Sequence, residues 1–127
     1  MTEPSIRSYR DLAVWQEAMA LAVACYRLTK AFPKEELYGM SGQIRRSATS
    51  IAANIAEGYG REATGSYIQF LKVARGSLRE LETHLLLAES VDLVRSDGVQ
   101  PLLTQCDRIG KMLYGLIRSL QRNGDHD

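Results

Sequence analysis

Glu80 and His84 form the pair of side chains in this sequence whose types and spacing could support catalysis. They lie four residues apart in a segment predicted to be helical, so they fall on one helix face. A carboxylate beside an imidazole can be half of a general-base site or half of a metal site. The same pair can instead close a structural hydrogen bond inside a bundle or interface. Because no second histidine or carboxylate cluster accompanies the pair, we expect no catalytic residue, metal ion, cofactor or small-molecule substrate.

Seven basic residues could contact the phosphates of a nucleic acid. Three fall on one side of the third predicted helix, and four form a comparable stripe on the fourth. The alternative is that both stripes simply face solvent, and no aromatic residue lies among them to stack on a base. The residues are Lys72, Arg75, Arg79, Arg108, Lys111, Arg118 and Arg122.

The segment from Gln43 to Gly58 is predicted to form a helix with one apolar side and one polar stripe. A surface helix usually carries Lys and Glu on its polar side, whereas this stripe is rich in small, hydrogen-bonding residues. Such a stripe suits close contact with another protein surface, and a solvated stripe beside a core helix is the alternative. The stripe contains Gln43, Arg46, Ser47, Ser50, Asn54, Glu57 and Arg61.

Arg45 lies beside the apolar row of the same helix, close to Ala52 and Ala56. An arginine among such small side chains is predicted to be partly buried and to need an acidic partner. Glu57 and Glu80 are the candidates for a structural ion pair, and phosphate binding is the alternative role.

The composition indicates a single globular domain without a strong charge bias. The 127 residues include 16 basic and 15 acidic side chains, which argues against a strongly basic nucleic-acid binder. Cys25 and Cys106 fall on apolar helix faces and are predicted to be buried thiols. No signal-peptide pattern, membrane-length apolar run or nucleotide-binding motif occurs, so we expect a cytoplasmic protein with no membrane partner.

Four long helical patterns and no strand pattern predict an all-α fold, an antiparallel up-down-up-down four-helix bundle. The helices are predicted at residues 9–31, 39–60, 64–94 and 96–122, within one domain at 9–122. Residues 1–8 and 123–127 are predicted to be polar tails. The first and third helices each carry two adjacent rows of side chains at heptad spacing, which implies burial against more than one neighbour.

Several segments of the sequence resemble the four-helix bundle family of 23S rRNA intervening-sequence proteins. The resemblance covers residues 9–120, and the order and spacing of the segments are specific. The matching segments are DLAVW at 11–15, FPKEELYG at 32–39, QIRR at 43–46, SI at 50–51, NIAEG at 54–58, GR at 60–61, FL at 70–71 and ARGSLRELE at 74–82.

The resemblance implies an antiparallel four-helix protomer and a homo-oligomeric ring, with a pentamer expected. It also implies kinship with the accessory proteins of diversity-generating retroelements, which resemble nucleic-acid-binding partners of a reverse transcriptase. A structural or assembly role is implied for Trp15, Gln43, Arg45, Arg46, Ser50, Asn54, Glu57, Gly58 and Glu80.

Three functions remain open from the sequence. The first is a non-enzymatic homo-oligomeric bundle that binds RNA or a ribonucleoprotein weakly and largely by charge, with ring assembly concentrating a modest basic stripe. The second is a protein-interaction scaffold without nucleic-acid binding, in which Trp15 and the polar stripe serve assembly. The third is an enzyme centred on His84 and Glu80.

Overall fold

Four α-helices make up most of the computed structural model, which describes residues 5–124. They are α1 (Ala13–Thr29), α2 (Met40–Tyr59), α3 (Thr64–Ser90) and α4 (Ser96–Gly124). Each helix packs against its sequence neighbours, and α1 also packs against α4. The described residues contain no strand, so the predicted all-α, antiparallel four-helix bundle is confirmed.

The first helix begins later than its hydrophobic pattern predicts. Tyr9–Asp11 forms a separate 3-10 turn, because Ser8 and Asp11 make a capping box there. Leu12 then adopts an extended conformation, with ψ of 124°, and α1 starts at Ala13. Residues 5–7 have no regular secondary structure, and the first four residues of the predicted tail lie outside the described part of the chain.

The turn between α3 and α4 is also placed differently from the prediction. The third helix ends at Ser90 and not at residue 94, because Asp92 takes a left-handed conformation with φ of 65°. The fourth helix continues to Gly124, past its predicted end at residue 122. Residues 125–127 of the predicted C-terminal tail lie outside the described residues.

The core consists of one buried row from each helix. On α1 the buried row is Val14, Ala18, Leu21 and Cys25. In the second α1 row, Met19 and Tyr26 are exposed, whereas Trp15 and Ala22 are partly buried against the core. On α4 the buried row ends at Ile117. Leu116 and Leu120, which the spacing of the sequence predicts to be in the core, are only partly buried. None of the described helices is long and apolar enough to cross a membrane.

Candidate interaction surfaces

The Glu80–His84 pair forms as predicted, but it has no further chemical partner. His84 Nε2 lies 3.5 Å from Glu80 Oε1, and the Glu80 side chain is 58% exposed. His84 Nε2 itself is buried without a hydrogen bond from any described residue. Across residues 5–124, no three His, Cys, Asp or Glu side chains are grouped so that they could hold a metal ion. Among the described residues, the pair is therefore not part of a metal-binding cluster.

Two of the seven predicted basic residues, one from α3 and one from α4, meet at a groove between these helices, which Asp107 also lines. Arg79 and Lys111 line it together with Tyr114, and its volume is about 270 Å³. Arg118 extends the groove, because its Nη1 donates to the hydroxyl of Tyr114 over 3.2 Å. Lys72 is exposed and precedes Arg79 on the same helix. The fold thus joins two separate sequence stripes into one surface, here called the α3/α4 groove.

Neighbouring carboxylates offset part of the positive charge in the α3/α4 groove. Arg79 Nη1 lies 2.7 Å from Glu82 Oε1, and Lys111 Nζ lies 3.2 Å from Asp107 Oδ2. These pairs are largely exposed, so each adds little stability and stays open to competition from another anion.

The other five basic side chains have different surroundings. Arg108 points toward α1, where its Nη2 lies 3.0 Å from Glu17 Oε1. Arg75 is half-buried, while Arg118 and Arg122 are exposed. Like Lys72, these three form no ion pair with any residue in the described range 5–124. The α3/α4 groove therefore keeps its uncompensated charge at the end where α4 finishes.

The inner edge of the α2 polar stripe faces α3 and not solvent. Ser47 is buried, and its hydroxyl donates to the Gln43 carbonyl. The hydroxyls of Ser50 and Ser77 lie 2.8 Å apart, and Asn54 Nδ2 donates to the Ser50 carbonyl over 2.8 Å. Small polar residues here let α2 and α3 approach closely while their polar groups remain satisfied.

The outer edge of the stripe remains on the surface. Arg46 is exposed, and Glu57 Oε1 lies 3.0 Å from Arg61 Nη2. The Arg61 guanidinium also lies over the Phe70 ring, 4.7 Å from its centroid. Gln43 is half-buried. A role of this edge in assembly remains a prediction.

Gly58 marks the closest approach of α2 to α3. A Cβ added at this position would lie 2.7 Å from Phe70 Cβ and 3.1 Å from Tyr67 Cδ1. Tyr67 also packs edge-on against Tyr59, with ring centroids 6.1 Å apart. Only glycine fits this contact without moving a helix, which gives this residue a structural role within one chain.

Arg45 is partly buried, but its partners differ from the predicted carboxylates. Its Nε donates to Thr29 Oγ1 over 2.9 Å, and its guanidinium lies 4.9 Å from the centroid of the Tyr26 ring. Glu57 and Glu80 instead pair with residues one turn further along their own helices. Arg45 forms no ion pair with any carboxylate in residues 5–124, so the predicted ion pair within the chain is wrong.

An apolar groove lies between α1 and α2 and was not predicted as a site. This α1/α2 groove has a volume of about 580 Å³ and runs from Tyr9 and Trp15 to Lys30. Trp15 packs edge-on against Tyr9, with ring centroids 5.2 Å apart. The heptad spacing of one α1 row was the available signal, but it could not indicate which row faces outward. The groove is lined by Tyr9, Trp15, Met19, Ala22, Val23, Tyr26, Arg27, Lys30, Thr49, Ala52, Ala53 and Ala56.

Both cysteines are buried thiols, as expected. Burial raises the pKa of Cys25 to about 12. Burial, and then the nearby Glu82 and Cys25, raise the pKa of Cys106 to about 12 as well, although Arg79 acts in the opposite direction. Thiols with such pKa values are poor nucleophiles near neutral pH.

Comparison with known proteins agrees with this architecture. One solved structure, a protein of unknown function from the S23 ribosomal protein family of Bacteroides thetaiotaomicron, superposes with a TM-score of 0.75. It is 26% identical, and the match covers 83% of this chain and 98% of that chain. No functionally curated protein matches the sequence. The model of the 23S rRNA-intervening sequence protein family matches residues 10–115, which include α1, α2, α3 and most of α4, and the chain therefore belongs to that family.

Proposed function

We propose that this protein is a non-enzymatic, homo-oligomeric bundle that binds RNA or a ribonucleoprotein through the α3/α4 groove. The observation that carries the proposal is the convergence of basic residues from two helices on that one surface. A ring, with five copies expected, would present the groove repeatedly, so a chain of net charge +1 could still create a strong local field. The two free buried cysteines are consistent with a reducing, cytoplasmic location.

Salt dependence tests this proposal. Lys72 and Arg118 are the best residues to change, because both are exposed and neither forms an ion pair in the described structure. The plot of log affinity against log salt concentration has a negative slope. If both residues contact phosphates, reversing both charges should make this slope shallower by roughly 0.7 to 0.9 for each lost contact. Binding of a structured ribosomal RNA fragment, measured across a salt series, gives this slope.

A matched control separates local contacts from net charge. Arg7→Glu with Arg95→Glu changes the net charge equally, and both residues are exposed and lie outside the α3/α4 groove. This control should keep most of the affinity, whereas Lys72→Glu with Arg118→Glu should lose it. Equal losses in the two double variants would contradict a role for the groove.

The apolar α1/α2 groove favours a second candidate function, a protein-interaction scaffold without nucleic-acid binding. Grooves of this size lined by aromatic and aliphatic side chains commonly receive another protein or ligand. An intact oligomer that binds no RNA even at low salt would favour this candidate over the first.

A further inference from the structure

Two surface rows of this bundle have heptad spacing and expose large apolar side chains. On α1, the row runs along the α1/α2 groove, with Met19 40% and Tyr26 45% exposed. On α3, a second row repeats at spacings of four and three residues, and its Val73, Leu87 and Val91 are 46%, 47% and 55% exposed. Rows of this spacing normally form the seam between two packed helices. We call the exposed members of this α3 row, Val73, Glu80, Leu87 and Val91, the α3 ridge; Ser77, between them, is buried against Ser50 of α2, and His84 is half-buried.

The hydrogen bonds between helices fix which residues lie at the same height along the bundle. The Ser50–Ser77 contact aligns antiparallel α2 and α3, and Arg45 lies five residues before Ser50, so it is level with about residue 82 of α3. Arg45 also donates a hydrogen bond to Thr29, so the end of α1 is level with about residue 82 of α3 as well. The helices α1 and α3 run parallel, so Arg27 is level with Glu80.

The same alignment continues toward the other end of the bundle. Met19 lies ten residues before Thr29, which brings it level with about residue 72, next to Val73. If two neighbouring copies are related by rotation about an axis parallel to the helices, residues that are level within one copy are also level between the two copies. The apolar part of the groove in one copy would then meet the apolar start of the α3 ridge in the next.

The charges of the two surfaces are complementary. The α1/α2 groove is lined by two cationic residues, Arg27 and Lys30, and by no carboxylate among the described residues. The α3 ridge instead carries Glu80, whose side chain is 58% exposed. A contact between two α1/α2 grooves would place cations on both sides. A contact between the α1/α2 groove and the α3 ridge would instead pair opposite charges.

We propose that the α1/α2 groove of one copy receives the α3 ridge of a second copy, with their helices parallel and Glu80 facing Arg27. This inference rests on the homo-oligomer proposed above and specifies its interface. Because the two surfaces differ, the contact is heterologous, and repeating it by pure rotation about one axis parallel to the helices would close a ring. The α3/α4 groove lies on the other side of α3 and stays open to a ligand.

Mixing two variants tests this geometry. Met19→Glu damages the groove and Val73→Glu damages the ridge, so each variant alone should be a monomer by light scattering. Mixed together, they should form a one-to-one dimer, since each partner retains one intact surface. Leu86→Glu is the matched control, because Leu86 is 50% exposed on α3 but lies outside the ridge, and this variant should assemble like the wild type.

The possible results distinguish failure of the proposed interface from failure of the proposed homo-oligomer. A wild-type monomer would overturn both the oligomer and this interface. A wild-type oligomer that survives both Met19→Glu and Val73→Glu would overturn only the interface. If the Val73→Glu variant still dimerises while Met19→Glu does not, the groove pairs with itself, and the heterologous contact is wrong.

A charge exchange provides a second test that does not depend on apolar residues. Glu80→Arg or Arg27→Glu alone should weaken assembly about tenfold, as expected for a lost interfacial charge pair. The double variant carries both changes in every copy, so it should recover most of the loss. Additive weakening in the double variant would overturn the pairing of Glu80 with Arg27.

Discussion

Replacing Gly58 with alanine should destabilise the bundle, although alanine is the better helix former. In a helix interior the exchange normally gains about 1 kcal/mol. Here the new Cβ would lie 2.7 Å from Phe70 Cβ, well inside the usual carbon–carbon distance of about 3.5–4.0 Å. Because Phe70 Cβ is fixed to the backbone, relief requires one helix to shift. Overpacking of this kind costs about 1–3 kcal/mol, so after the gain of about 1 kcal/mol we expect a net loss of up to about 2 kcal/mol.

A matched glycine on the outer face of α4 provides the control for Gly58. Gly115 is exposed, and a Cβ added there would meet no atom within 4 Å. Gly115→Ala should therefore raise the free energy of unfolding by about 0.5–1 kcal/mol, through helix propensity alone.

Urea unfolding followed by far-UV circular dichroism measures both changes, with protomer concentration held fixed because assembly would contribute to stability. If Gly58→Ala proves as stable as the wild type while Gly115→Ala gains as expected, the close approach of α2 and α3 does not depend on this glycine, and the reasoning is refuted.

Three further predictions concern buried polar groups and thiols. Cys25 and Cys106 should react with a thiol reagent at pH 8 only after unfolding, because both are buried. Burial raises their pKa from 9.0 to about 12, so between these pH values the folded state keeps protons that the unfolded state loses. The free energy of unfolding should therefore fall from pH 9 to 12. Rapid reaction of either native thiol would contradict this. Arg45→Ala should lower the free energy of unfolding by about 1–2 kcal/mol, through lost hydrogen-bond and ring contacts, and an unchanged urea midpoint would argue against them. Ser50→Ala and Ser77→Ala should each lower the free energy of unfolding by about 1 kcal/mol. In a double-mutant cycle the two changes should show a coupling energy of about 0.5 kcal/mol or more, whereas strict additivity would exclude their hydrogen bond.

Hydrophobic periodicity was sufficient to predict the helices and their antiparallel order. The apolar row of α2, from Ile44 to Ile55, is buried as its spacing predicts. The start of α1 was missed because a local capping box starts a separate 3-10 turn at Tyr9, and the extended Leu12 then delays α1 until Ala13. On α4, Ile117 replaces Leu116 in the core, since the buried row continues at spacings of four residues after Ile109 and not at heptad spacing.

The candidate surfaces were less predictable, because they depend on how neighbouring helices are rotated. Two α1 rows of similar composition could each have faced the core, and only packing determines that Met19 and Tyr26 face outward. The partners of Arg45 follow from the same rotation, which brings Thr29 and Tyr26 to it from α1. Periodicity along one helix contains no information about a neighbour's rotation, so such contacts require the folded structure.

The contact between α1 and α4 closes the bundle, and it is the least extensive contact between adjacent helices. It also joins the helices that are farthest apart in sequence, whereas the other pairs form across short turns. Loop-closure entropy makes such a distant contact the last to gain from folding, and partial opening of the native state should begin there. The hairpin of α2 and α3, which share the most extensive contact, would then remain folded longest and act as the nucleus. An opened α1 could also dock onto another copy, so the α1–α4 contact is where domain swapping would start.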